Sequence, residues 1–345
     1  MTDDSAILTI GDREVGPGRP CFIIAEAGIN HNGDVRVAAE LVEAAAEAGA
    51  DAIKFQTHLP EHEMLRDGAT ASYVGESLFD LLTRTALSPE AHFTLRDLAA
   101  RKGIVFFSTP FSREAADFLE GLDLPVFKTG SGELTNLPLQ QHIARKGRPM
   151  IISTGMSTSA EIDGTVSAVR NVGAAFALMH CTSTYPTPFE HVQLGCIDSL
   201  RRRYRVPIGL SDHTLGNYMA FAATALGANL FEKHFTVSRS LPGPDQQGSM
   251  EPAELQDLVR GVRAIEKALG ATKQIQPGEQ DVRNMALHSV VSVRDIAAGS
   301  TIGVADVWPK RPGTGIPARQ LNEVVGRVAK RDIAMDSLVA WDDLV

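Results

Sequence analysis

The chain has 345 residues, 43% hydrophobic and 22% charged, with a formal net charge of −9. That balance fits a soluble globular protein with room for one large domain and one small one. The net charge argues against nucleic acid as the main partner, because it has the wrong sign. No apolar run is long enough to span a bilayer. A core of this size needs no disulfides. The three cysteines, Cys21, Cys181 and Cys196, have no metal-type spacing and point to reduced thiols. The opening MTDDSAILTI lacks a basic flank before an apolar core, so no signal peptide is expected and the expected compartment is the cytoplasm.

From about residue 20 to 270 one unit repeats: a short apolar strand, an amphipathic helix, a glycine. The predicted strands begin at Cys21, Asp51, Ile104, Pro125, Pro149, Phe176, Pro207 and Asn229. Each starts as a near-continuous apolar run, as parallel strands buried on both faces do, and turns polar at its C-terminal end. Between them, Asp34 is placed to cap a helix with apolar Ala38, Leu41, Val42 and Ala45, stopped at Gly49. Thr158 and Glu161 form a capping box. Pro252 opens a last helix that ends by Gly270. Eight alternations predict a (β/α)₈ barrel over residues 1–270. No G-x-G-x-x-G follows the first strand, which argues against an open doubly wound sheet. Residues 271–285 read as a polar linker. Residues 286–345, short apolar pieces between glycine and proline turns, predict a small β-rich domain.

In a barrel the strand ends share one site. The residues expected there include Glu26, Asn30, His31, Lys54, Gln56, His58, Ser108, Thr109, Lys128, Ser131 and Glu133. The later strands add Ser153, Thr154, His180, Thr182, Ser183, Tyr185, Ser211, Asp212, His213, Glu232, Lys233 and His234. His213 and His234 end adjacent strands, so together they can hold one divalent ion and leave positions open. Two ligands are too few for a structural zinc site. Lys54 and Lys128 lie on otherwise apolar strands, where a lysine must be paired or bind an anion. With Thr109, Ser131 and Ser153 as hydroxyl donors they suit a phosphate or carboxylate. The structural alternative pairs Lys54 with Glu26 and Lys128 with Glu133. Cys181 reads as a small buried strand residue rather than a nucleophile. His31, His58 and His180 read as supporting residues.

IIAEAGINHNGD (Ile23 to Asp34), KFQTH, FSTPF, KTGSGE, STGM, HCTSTYPTP, GLSDHT, EKHFT and PGPD occur in that order. Together they resemble the N-acetylneuraminate (sialic acid) synthase family, which includes legionaminate, pseudaminate and spore-coat polysaccharide synthases. KRPGTGI (Lys310 to Ile316) resembles that family's C-terminal antifreeze-like (SAF) domain. The resemblance implies a condensation of phosphoenolpyruvate with an open-chain N-acetylated amino sugar, N-acetylmannosamine or a related deoxy diacetamido sugar. A nine-carbon 2-keto acid and phosphate are the implied products. It further implies that His213 and His234 bind manganese, magnesium or cobalt, and that Lys54, Lys128, Ser131, Ser153 and Ser211 hold phosphoenolpyruvate. Glu26, Gln56, Tyr185 and Asp245 are implied to face the sugar or the attacked carbon, with Glu133 moving a proton at the sugar oxygen. Arg311 is implied to reach the barrel of a second subunit in a homodimer. Ser183 stands where some sialic acid synthases carry an amide side chain, so the reaction type is better defined than the sugar.

Two further classes remain open on residues alone. A metal-dependent barrel hydrolase would use the same histidines, but the first strand supplies HNGD and no H-x-H. A carbohydrate- or ice-binding protein would use the small domain, but has no need of Lys54 and Lys128.

Overall fold

The computed structural model describes residues 7–66 and 76–345. A hairpin comes first, β1 (Leu8–Ile10) antiparallel to β2 (Arg13–Val15). Eight parallel strands follow: β3 (Phe22–Gly28), β4 (Ala52–Thr57), β5 (Val105–Pro110), β6 (Phe127–Thr129), β7 (Met150–Ser153), β8 (Phe176–Cys181), β9 (Ile208–Asp212) and β10 (Leu230–His234). Their hydrogen-bonded order is β5-β4-β3-β10-β9-β8-β7-β6. The two end strands, β5 and β6, lie side by side and close the ring, although no ladder bonds join them among the described residues. The sheet is thus a TIM-like barrel. Its apolar strand starts, with Ile23, Ile53, Phe107, Ile151, Leu178 and Leu230 all buried, form one core with the helices.

The helices begin where their sequence signals lie. Asp34 accepts from the Arg36 amide at the start of Val35–Glu47. Thr158 and Glu161 exchange capping bonds at the start of Ser159–Val172. Pro252 occupies the first turn of Pro252–Ala268. Each places a strand end and the following helix start on the same face of the barrel.

The chain divides into two compact units, Met1–Leu269 and Gly270–Val345. In the second, β11 (Ser289–Ser292) pairs antiparallel with β12 (Val307–Lys310) over a core that includes Val290, Ile302, Val307, Val324 and Val339. The segment expected as a linker departs from that reading. It holds a helix, Glu279–Ala286, with no buried side chain, and it belongs to the second unit. Gly278, at a φ of 89°, turns the chain into it, and the Glu279 carboxylate accepts from the Gln276 amide at 2.6 Å. Acidic Glu279 and Asp281 suit a helix N-terminus, and the Asn284 carbonyl accepts from the Gly313 amide at 2.7 Å. Val282, Met285 and Ala286 share one face of this helix, but Val282 and Met285 are exposed, so charge and local bonds rather than burial hold it.

Candidate active site

Successive side chains on a strand face opposite sides of the sheet. On β10, Glu232 and His234 therefore point into the barrel while Lys233 points to the helices. Lys233 is buried there against Asp212, with Nζ 2.5 Å from Oδ2, and also donates to the Thr214 carbonyl. Ser108 likewise faces outward, 2.7 Å from Thr57, whose hydroxyl meets His92 of the helix Pro89–Lys102. His180 donates to the Val192 carbonyl at 2.5 Å. The strand-end reading expects Asp212, Lys233, Ser108 and His180 at the site; the period of two sends them to the other face. Asn30, Thr154 and Thr182 donate to the carbonyls of Phe235, Met179 and His191. His31 is also buried, its Nδ1 accepting from the Gly33 amide and its pKa pushed down to about 4 by burial and by neighbouring His92.

Inside the barrel, Lys54 Nζ lies 2.7 Å from Glu26 Oε2, 3.8 Å from Glu232 Oε1 and 3.2 Å from Thr109 Oγ1. Burial opposes its charge, but Glu232 and Glu26 outweigh burial and raise its pKa. Lys128 is only 2% exposed. It donates to Ser153 Oγ at 2.6 Å and to the Thr129 carbonyl at 3.0 Å, and its carboxylate contact is Glu232 at 3.9 Å, not Glu133. Burial here wins over Glu232, and the pKa of Lys128 is lowered. Glu232 also accepts from Ser211 at 3.4 Å; burial opposes its charge, but Lys128 and Lys54 outweigh that and lower its pKa.

Above this cluster opens a cleft of ≈ 800 Å³. Lys54, Gln56, Thr109, Lys128, Ser131, Glu133, Ser153, Tyr185, Ser211, His213, His234 and Asp245 all line it. Glu26 lies just beneath, tied to Lys54 and to Gln56 Nε2 at 3.0 Å. Arg311 belongs to the second unit; it is exposed and donates to the Ala286 carbonyl at 3.1 Å. Glycines make room at two points. A Cβ at residue 130 would sit 2.5 Å from Glu133 Oε2, and one at residue 155 would collide with the Ser131 and Ser183 hydroxyls. Ser131 Oγ meanwhile accepts from the Gly155 amide at 3.1 Å.

The two histidine rings lie 5.6 Å apart, and Tyr185 packs on His213 at 4.1 Å. His213 Nδ1 donates to the Thr182 carbonyl at 2.8 Å, which leaves Nε2 as the lone-pair nitrogen. Burial works against its protonation, but contact with Cys181 and the Thr182 carbonyl outweighs burial and raises its pKa. His234 Nδ1 is buried without a hydrogen-bond partner, 3.8 Å from Asp245 Oδ2, and burial lowers its pKa. No group of three His, Cys, Asp or Glu side chains converges as a metal cage among the described residues. Two imidazoles with free nitrogens still fit a cation that takes its remaining ligands from substrate or water. Glu133 Oε2 is likewise buried without a partner. Burial pushes its pKa up to about 7, with Lys128 pulling the other way.

Sequence reasoning misses Glu63, whose Oε2 lies 2.8 Å from His58 Nδ1. It sits on the short helix Pro60–Glu63, and no periodic signal marks it. Phe111 stacks on His58 with centroids 4.1 Å apart. Its only sequence signal is its place at the end of FSTPF.

Fold and site define a barrel enzyme with buried cations, hydroxyls and a histidine pair at one mouth. Residues 41–274 match the model of the NeuB family, and residues 288–345 match that of the SAF domain. The chain is 38% identical to the N,N'-diacetyllegionaminic acid synthase of Legionella pneumophila, over 97% of each chain. It is 41% identical to an uncharacterised protein of Methanocaldococcus jannaschii, over 98% of each. The N-acetylneuraminic acid synthetase of Leptospira borgpetersenii, solved with citrate, superposes with a TM-score of 0.75 at 34% identity, covering 82% of this chain and 96% of that one. The chain belongs to the NeuB family and is an enzyme of the sialic-acid-synthase type.

Proposed function

We propose that this enzyme condenses phosphoenolpyruvate with the aldehyde of an open-chain N-acetylated mannose-type sugar, giving a nine-carbon 2-keto acid and inorganic phosphate. The observation that carries this reading is Lys128. It is a buried ammonium held by a hydroxyl and a carbonyl, with its carboxylate contact at 3.9 Å. Such a group favours an incoming anion, because leaving it unpaired costs several kcal/mol.

Lys128 and Lys54, with the hydroxyls of Ser131, Ser153, Ser211 and Thr109, bind the carboxylate and phosphate of phosphoenolpyruvate. Neutralising those charges lets its C3 approach an electrophile. C3 forms a bond to the aldehyde carbon, and the carbonyl electron pair moves to oxygen. Glu133, protonated below about pH 7, delivers a proton to that oxygen. Water adds to C2 and gives one proton back to the Glu133 carboxylate. The C2–O bond to phosphate then breaks, the remaining hydroxyl proton leaves with the phosphate as hydrogen phosphate, and C2 becomes the ketone. Glu26, Gln56, Tyr185 and Asp245 face the sugar and the attacked carbon. His213 and His234 would hold a divalent cation, manganese, magnesium or cobalt, which when bound polarises the aldehyde oxygen. The working form is a homodimer in which each Arg311 serves the barrel of the other copy.

The test is phosphate release with phosphoenolpyruvate and a panel of N-acetylated mannose-type sugars. Release that depends on both substrates supports the reading. Release from phosphoenolpyruvate alone, or none with any sugar, overturns it.

A further inference from the structure

Lys54 and Gln56 share the inward face of β4, and His58, one residue past its end, continues that row. Gln56 lines the cleft. Behind it lies the pair His58–Glu63, whose side chains are 7% and 5% exposed. The condensation chemistry makes no use of this pair.

A glutamine amide can sit either way round, and its neighbours decide which end donates. Glu26 Oε2 lies 2.7 Å from Lys54 Nζ, so Glu26 is an acceptor, and Gln56 turns its Nε2 to Glu26 Oε1 at 3.0 Å. The Gln56 carbonyl oxygen then faces His58 Nε2, also at 3.0 Å, and that nitrogen must carry a proton. The other proton of the pair lies in the 2.8 Å bond between His58 Nδ1 and Glu63 Oε2. The second oxygen of Glu63 accepts from the Leu59 amide. Phe111 stacks on the imidazole with centroids 4.1 Å apart and planes 17° apart, which fixes the ring. Glu133 and Asp245 line the same side cavity, but both nitrogens of His58 are already engaged and leave them no N–H to compete for. The Gln56 amide is thus tied at both ends. One N–H remains for the cleft.

We propose that His58 and Glu63 are positioning residues for the sugar: through the Gln56 carbonyl they lock the amide so that it offers the cleft a donor and no acceptor. The inference rests on the proposed condensation, in which Gln56 faces the sugar and its N–H meets a sugar oxygen. Without His58 the amide keeps only its bond to Glu26, swings about it, and exposes a bare carbonyl. Glu63 acts by its bond and not by its charge. A glutamine in its place can accept from the Leu59 amide with its oxygen and donate to Nδ1 with its nitrogen, which leaves the proton on Nε2.

The experiment uses the full-length enzyme and the N-acetylated mannose-type sugar that it turns over. His58→Phe keeps a ring on Phe111 and removes the donor. It should lower kcat/KM for the sugar roughly tenfold, the worth of one hydrogen bond, through the sugar KM and with no change in KM for phosphoenolpyruvate. Gln56→Met should lose at least as much, and adding His58→Phe to it should cost nothing further, because the pair acts only through the amide. Glu63→Gln should stay within about twofold of wild type. A His58→Phe variant at the wild-type rate, losses that multiply in the double variant, or a Glu63→Gln variant as impaired as His58→Phe overturns the proposal. Histidine nitrogen NMR spectra read the lock without turnover, with His58 assigned by its absence from His58→Phe and its shift in Glu63→Gln. Nε2 is expected to be protonated in wild type and in Glu63→Gln. If wild type releases no phosphate with any sugar, the condensation fails while a protonated Nε2 still supports the lock. An unprotonated Nε2 overturns the lock whatever the activity.

Discussion

Lys128 and Lys233 are both nearly inaccessible lysines at the ends of barrel strands, and their surroundings differ in kind. Lys233, between sheet and helices, is closed: Asp212 at 2.5 Å and the Thr214 carbonyl satisfy it. Lys128, inside the barrel, is open: a hydroxyl and a carbonyl hold it and its carboxylate contact is at 3.9 Å. Burial lowers the pKa of both, so the partners and not the shift distinguish them. The same contrast separates the histidines. His180 is spent on the Val192 carbonyl, whereas His234 Nδ1 has no partner. Burial alone therefore does not mark a functional group. A buried polar group that lacks a partner and also lines the cleft, as His234 and Glu133 do, is placed to take one from outside; Asn30 Oδ1 and His31 Nε2 are equally unpartnered but do not line it.

The largest effect expected from this contrast is at the histidines. His234→Ala and His213→Ala should lower the rate by on the order of 10³-fold, several kcal/mol of lost transition-state stabilisation. Chelation of the wild type should match them. His180→Gln should leave the rate near wild type and lower the melting temperature. Full activity of the inner variants in chelator would remove the metal assignment.

The lysines sharpen the point by dissociating binding from stability. Lys128→Met should weaken phosphoenolpyruvate binding by about 2–5 kcal/mol with little change in melting temperature. Lys233→Met should cost about 3–5 kcal/mol of stability, because Asp212 is left buried and unpaired. Calorimetry and phosphoenolpyruvate titration on both variants decide it. If both lose stability and neither loses binding, the inner lysine is as structural as the outer one.

Glu133 turns the contrast into a pH profile. Its pKa is raised from 4.5 to about 7 by burial. As a proton donor it should be active below about 7, and kcat/KM should fall as pH rises through that value. Glu133→Gln should remove that limb and lower the rate about 10²-fold. The sign for stability follows from the same shift. The folded form holds the Glu133 proton more tightly than the unfolded one, so the contribution of this group to stability is full below 4.5 and is lost as pH rises to about 7. Glu133→Gln should abolish that loss. A rate that instead climbs through pH 7 would assign Glu133 as a base.

Arg311, exposed to solvent, is the opposite extreme from Lys128 and should have the smallest effect. Arg311→Ala should raise the sugar KM roughly tenfold, the worth of one charge-assisted hydrogen bond, with little change for phosphoenolpyruvate. Mixing Arg311→Ala with His213→Ala should restore part of the activity once subunits exchange. Exchange without recovery would place the arginine's action in its own chain, or nowhere.

Much of the fold and of the site is legible in the order of the residues. Apolar runs of strand length, separated by capped helices of period 3.6, specify a parallel barrel. The polar ends of those runs specify where chemistry sits, because strand ends are where backbone leaves the core. The ordered motifs carry the family. What sequence could not decide is which neighbour faces inward. Alternation says that Glu232 and Lys233 lie on opposite sides of β10, but nothing local says which side is the barrel. That depends on the register of β10 against β3 and β9, a non-local property. Nor could it bring Glu63 to His58 and through it to Gln56, because that chain joins a short helix to a strand end by geometry, not by period. By itself the sequence determined the elements, their order and the chemical types gathered at one mouth. Only the tertiary structure decided which of those groups are satisfied and which are left to bind, since a hydrogen-bond partner is a matter of position in space.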